Sequence, residues 1–222
     1  MLFLSLLVFG ASLVHARPAQ TRAASAFVDP TTGGGSWLDV AGTGVGEPMN
    51  VVISGLSSPA VLTDDGITNF ARAIGFSTEC FDIHLGAPQS ANLGDGNGQV
   101  NQTVELRQDF GSSSIGTCLE SLIGGNHFRV FRQNGTMADT GALFLAVSKE
   151  ENVAEGHTIV ANGYNIGRDN LVSAAVGTTS FDGVTYSTTS ETLTGVMPAG
   201  TDGVNHGIAI DGNAILLTVQ ID

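Results

Sequence analysis

The chain has 222 residues, a length that one domain can organise around a single core. Only 13 % of them are charged, about half the ~25 % usual in globular domains, so Ser, Thr, Asn and Gln must supply most of the polar surface, as in secreted β-rich proteins. With 21 acidic residues against 8 basic ones the formal charge is -13, a field that repels nucleic acid and anionic lipid and excludes both as expected partners.

Met1 to Val14 is almost wholly apolar, shorter than the ~20 residues a bilayer span takes, and runs into Val14-His15-Ala16. This pattern predicts a signal peptide over residues 1–16, cleaved after Ala16, and with it secretion to the extracellular space. Residues 17–47 read as a polar arm or loop, with Trp37 and Leu38 packing it onto the body, and residues 48–222 as a single α+β domain. In an oxidising compartment the two cysteines, Cys80 and Cys118, are expected to form a disulfide. Asn101-Gln102-Thr103 and Asn134-Gly135-Thr136 are sequons beside turn signals, so Asn101 and Asn134 are expected to carry glycans.

Asn50 to Ser54 reads as a strand buried on both faces. Thr63 then offers an N-cap, and Asp64-Asp65 an acidic first turn, to a helix that presents Ile67, Phe70, Ala71 and Ile74 to the core and stops at Gly75. A strand at Cys80–Leu85 follows, and its economical pairing is parallel to the first across that helix. Leu85 to Val100 is a long loop; its Asp95-Gly96-Asn97-Gly98 lacks the spaced carboxylates and terminal Glu of a calcium loop and reads as a turn. Gln102 to Phe110 fits a strand or a short helix. Ile115 to Ile123 has helical spacing and ends at Gly124-Gly125.

Gly124 to Gln133 reads as the central strand. Alternation sends Asn126, Phe128, Val130 and Arg132 to one face and His127, Arg129, Phe131 and Gln133 to the other. Its antiparallel partner is Ala142 to Ser148, across a hairpin-like connection. Asn162 to Asp169 leads into an amphipathic helix with Leu171, Val172 and Ala175 inward, and Thr178 to Asp222 predicts strands only. The fold class is α+β: a mixed β-sheet with two or three helices, completed by C-terminal antiparallel strands.

His127 and Arg129, two residues apart on one strand face, are the chemistry-bearing pair. A hydrolase would use His127 as general base and Arg129 as anion clamp, with Asp169 or Glu105 as the third member, which requires distant segments to converge. The alternative for His127 and Arg129, and for Arg168, is a set of structural hydrogen bonds. Asp82 and His84 with His127 make at most a weak metal site, so neither a metal nor a cofactor is expected. His84, His127, His157 and His206 form no His-X-His pair and no His-Cys-His cluster, so the chain offers no copper site of its own.

Asp64-Asp65-Gly66, Leu93 to Gly98, Cys118 to Leu122, Gly125-Asn126-His127-Phe128-Arg129, Gly141 to Ser148 and Asn162 to Asp169 recur as ordered blocks that resemble a family of secreted fungal glycoproteins. The resemblance covers about Pro48 to Val172. In signal peptide, size, acidity and sequons the chain is similar to the small accessory subunit of basidiomycete heterodimeric laccases. That resemblance implies a non-catalytic subunit that stabilises a laccase large subunit, its partner in the heterodimer. The other two classes open at this point are the hydrolase and a cell-surface binding or effector protein.

Overall fold

The computed structural model describes residues 25–82, 87–112 and 115–222. The signal peptide expected at residues 1–16 and His84 lie outside these residues. In chain order the elements are β1 (Val51–Ile53), α1 (Asp64–Ala73), β2 (Phe76–Thr78), β3 (Ser90–Asn92), β4 (Gln99–Asn101), β5 (Val104–Gln108), α2 (Gly116–Ile123), β6 (Asn126–Asn134), β7 (Asp139–Lys149), α3 (Gly163–Ala175), β8 (Gly177–Phe181), β9 (Val184–Leu193) and β10 (Ala214–Ile221). Eight strands form one sheet in the order β2-β5-β6-β7-β1-β10-β9-β8, and β3 and β4 form a separate hairpin. All pairings in the large sheet are antiparallel except β1 with β10. With three helices on this sheet and three strands at its C-terminal side, the fold is α+β.

Of the strand expected at Cys80–Leu85, residues 83–85 lie outside the described residues and the described part, Cys80–Asp82, is not a strand. The strand comes earlier, as β2, and Cys80–Asp82 form a 3-10 turn in which Phe81 takes a left-handed backbone. Nor are β1 and β2 neighbours: β1 lies between β7 and β10, whereas β2 is an edge strand on β5. The parallel neighbour of β1 is instead β10, paired over Val51–Ile53 with Ile215–Leu217, so the parallel crossover spans most of the chain.

Both faces of the sheet are buried because its central strands alternate two apolar sets. One face gathers Val51, Ile53, Phe128, Val130, Leu145, Val147, Leu217 and Val219 under α1, whose Ile67, Phe70 and Ala71 point inward below the Thr63 cap. The other gathers Val52, Phe131, Phe144, Ala146 and Leu216 under the segment around Trp37, the β3–β4 hairpin and the connection between β9 and β10. Trp37 is buried against Phe27 and Phe144, so the expected arm is fastened to the core by aromatic packing. Asp95 forms the expected turn: its carboxylate accepts from Asn97, Asn134 and Gly135 backbone N–H groups and stitches the β3–β4 hairpin to the β6–β7 turn.

Two helices have specific fastenings. α3 lies close along β7 because Gly167 leaves room there: a Cβ at that position would stand 2.5 Å from the Ser148 carbonyl carbon. α2 is held by the Cys80–Cys118 disulfide, in agreement with the expected pairing. Its orientation was not foreseen. Gly116, Thr117 and Glu120 face inward, and the apolar Leu119, Leu122 and Ile123 face outward.

Candidate functional site

Three adjacent strands carry a polar ladder in the middle of the sheet. Antiparallel register sets Arg107 of β5 beside His127 of β6 and Ser148 of β7, and Glu105 beside Arg129. Because alternate residues share a face, His127, Arg129, Glu105, Arg107 and Ser148 all project to the same side. Four further residues close over them: Glu47 from the N-terminal segment, Glu120 from α2, Glu150 from just after β7, and His157 from the turn that follows.

The contacts form one connected network. Arg129 Nη1 donates to Glu47 Oε2 at 2.9 Å and lies 3.1 Å from His127 Nε2, while its Nε is 3.3 Å from Glu105 Oε2. Arg107 donates through Nη2 to Glu105 at 2.9 Å and through Nη1 to both Glu120 (3.0 Å) and Glu150 (3.1 Å), with Glu79 at 3.4 Å from Nε. His127 Nδ1 faces Glu150 Oε2 at 3.4 Å, and Ser148 Oγ lies 3.3 Å from Nε2 and 3.4 Å from Nδ1. Glu47 reaches one step further, accepting from Asn205 Nδ2.

Burial makes these charges interact strongly and sets their protonation. Burial opposes a charge on His127, but the charge and hydrogen bond of Glu150 outweigh it, together with the repulsion of Arg129 and Arg107, and raise its pKa. Glu150 is the counterpart: burial alone would push its carboxyl up, yet His127, Arg107 and His157 hold it well below the usual carboxylate range. Burial likewise works against Glu105, and Arg129, His127 and Arg107 overcome it and keep it low. Glu120 goes the other way. It is wholly buried, Arg107 is its main counter-charge, and desolvation wins, raising its pKa. Next to Glu47, Asp39 is pushed up to about 7, by burial first and by the Glu47 charge second.

Of the residues named for a hydrolase, His127 and Arg129 with either Asp169 or Glu105 as third member, one such set converges. His127, Arg129 and Glu105 share the network. Asp169 does not: it is largely exposed and accepts from Arg168 Nε at 2.8 Å, while Arg168 makes a two-pronged bond to Asp211. His127 is wholly buried and both its ring nitrogens face protein groups, so the charges within this network compensate one another. A cleft of about 440 Å³, lined by Asp109, Phe110, Asn126 and Ser173 among others, adjoins β6 at Asn126, whose side chain points to the opposite face from His127.

Sequence reasoning missed Glu47, Arg107, Glu120, Glu150 and His157. The one available signal was Arg107 two residues after Glu105, the same spacing as His127 and Arg129 on the next strand. Asn101 and Asn134, the sequon residues, are exposed at strand ends. No helix among the described residues is long and apolar enough to cross a membrane. No protein-family model matches the chain, and neither a curated protein nor a solved structure shows significant similarity to it.

Proposed function

We propose that the chain is a secreted, non-catalytic accessory subunit, the small subunit of a heterodimeric laccase that binds the large subunit and slows its unfolding. The observation that carries this reading is the outward face of α2, where Leu119, Leu122 and Ile123 are 42 %, 56 % and 54 % exposed. An apolar helix face normally turns to the core. Here the disulfide at Cys118 and the ion pair of Glu120 with Arg107 fasten the opposite face, so α2 presents apolar side chains on a rigid base. α2 packs beside the turns that carry Phe81 and Val153, both also exposed, and the resulting patch is of the kind that marks interaction surfaces.

The resemblance to the laccase small subunits supplies the partner, and secretion, the signal peptide and glycans on Asn101 and Asn134 belong to the same reading. His127 and Arg129 then act in folding, as members of the buried network. A species that binds only the folded large subunit stabilises it by mass action, by about 2.7 kcal/mol at a hundredfold excess over Kd.

Co-expression with the large subunit tests this. The wild-type chain should co-elute with it and lengthen its thermal half-life, and Leu122→Asp should abolish both at an unchanged melting temperature of the small chain. A purified wild-type chain that hydrolyses an ester or phosphate, with turnover lost in His127→Ala at unchanged melting temperature, refutes the accessory role in favour of the hydrolase.

A further inference from the structure

Glu120, Glu150 and His157 each offer one ligand atom, and the three atoms lie within 4.8 Å of one another. They come from three separate pieces of the chain: α2, the residue after β7, and the turn after the 3-10 turn Val153–Glu155. The imidazole is set up as a ligand. His157 Nδ1 lies 3.2 Å from the Glu151 carbonyl oxygen, to which it donates its proton, and Nε2 is turned to Glu150 Oε2, 3.0 Å away. A backbone carbonyl on the far nitrogen is the usual way a metal-bound histidine is oriented.

Glu120 supplies a second, independent observation. Its side chain is completely buried, Oε2 is held by Arg107, and Oε1 has no hydrogen-bond partner among the described residues. A bare carboxylate oxygen in the interior loses its hydration without a replacement. The local charge balance points the same way. Glu79, Glu105, Glu120 and Glu150 all pair with Arg107, and Arg129 on the neighbouring strand is shared with Glu47. Even with His127 and His157 counted as cations beside Arg107 and Arg129, the five glutamates outnumber them by one.

We propose that Glu120, Glu150 and His157 bind a divalent cation of the zinc class through two carboxylate oxygens and one imidazole nitrogen. One nitrogen and two oxygen ligands suit zinc, whose tetrahedral geometry spaces ligand atoms about 3.4 Å apart, so the Glu150–His157 pair at 3.0 Å must open slightly while wider separations, none above 4.8 Å, close. Arg107 remains as the outer partner that fixes both carboxylates. His157, 26 % exposed, gives the ion its entry and leaves a fourth position for water. The bound ion ties α2 to the end of β7.

The test is a calorimetric titration of the full secreted chain with zinc chloride after dialysis against a chelator. One zinc per chain should bind and raise the melting temperature, and cobalt(II) in its place should give visible d–d absorption. The informative variant is His157→Asn. Asn is at ease at the positive φ of 50° found here and keeps a donor toward the Glu151 carbonyl, but it removes Nε2. It should fold, lose the cobalt spectrum and bind zinc at least about 100-fold more weakly. Glu120→Gln should weaken binding too. Absence of one-to-one binding by the wild type, or binding and a cobalt spectrum retained in a folded His157→Asn chain, overturns the site.

Discussion

Asp39 is the residue through which the buried charges should make stability depend on pH. It is 4 % exposed and accepts the Glu47 N–H at 2.7 Å through Oδ1, while Oδ2 has no hydrogen-bond partner among the described residues. Burial and the adjacent Glu47 carboxylate push its pKa up from 3.8 to about 7, against the pull of that hydrogen bond, Arg129 and His127. The folded state therefore holds a proton that the unfolded chain has already released. Stability from this residue is full below the unfolded value near 3.8 and falls as pH rises toward 7, because the native state binds the extra proton over that whole interval. Each pH unit within it costs about 1.4 kcal/mol, so between pH 5 and pH 8 the loss is about 2–3 kcal/mol, two of those units lying below pH 7. Asp39→Asn keeps an oxygen to accept from Glu47 and cannot ionise. Urea unfolding of wild type and variant at pH 5 and pH 8 isolates this contribution, since groups that titrate alike in both chains cancel. The stability of the variant relative to wild type should rise by about 2–3 kcal/mol between the two pH values. A difference that stays constant across that range refutes the argument.

Replacing both Cys80 and Cys118 by Ser opens a loop of 38 residues, and the chain-entropy relation gives a loss of about 3–4 kcal/mol, measurable as a lowered urea midpoint. Arg168→Lys should cost about 1–3 kcal/mol, because a lysine cannot reproduce the two-pronged bond to Asp211 together with the bonds to Asp169 and the Asn213 carbonyl. The hydrogen bond from Arg168 lowers the Asp211 pKa below its ordinary 3.8, so the advantage of wild type is present above that value and lost as pH falls through the lowered one. Melting curves of both chains at pH 7 and at pH 2 check this, and an equal gap at the two pH values counts against it.

Where local chemistry decides the structure, the sequence was informative. Thr63 followed by two aspartates and the 67, 70, 71 spacing define α1, and the two-residue alternation in Asn126 to Gln133 divides β6 between the faces as expected. Strand partners are a different matter. Nothing in Val51–Ile53 says that β10, more than 160 residues later, is a better neighbour than β2, because pairing depends on which apolar runs compete for the same edge. α2 shows the limit of periodicity: its apolar spacing defines a helix but carries no sign for inside and outside, and Glu120 with Arg107 reversed the usual assignment. The buried network was half legible for the same reason. His127, Arg129 and Glu105 lie on neighbouring strands, whereas Glu47, Glu120, Glu150 and His157 reach it from loops and a helix whose approach is a tertiary fact.

The concentration of charge in one place bears on what the surface can do. The chain has only eight lysines and arginines. Arg107 and Arg129 are spent inside the network, Arg168 on Asp211, and Arg132 on Asp64 at the start of α1. Half the cations therefore serve the fold, and the exterior is left acidic and otherwise hydroxyl- and amide-rich. Such a surface repels other acidic proteins at long range and offers few cations for pairing. On the proposed accessory role, recognition of the partner falls to a region without charge, and the outward face of α2 is such a region. The same network that withdraws cations from the surface also fastens that helix, through Arg107 and Glu120, with its apolar side chains turned to solvent. Burying the charges and exposing the apolar face are thus two sides of one arrangement, in which Glu120 takes the inward position that a leucine would occupy in an ordinary amphipathic helix.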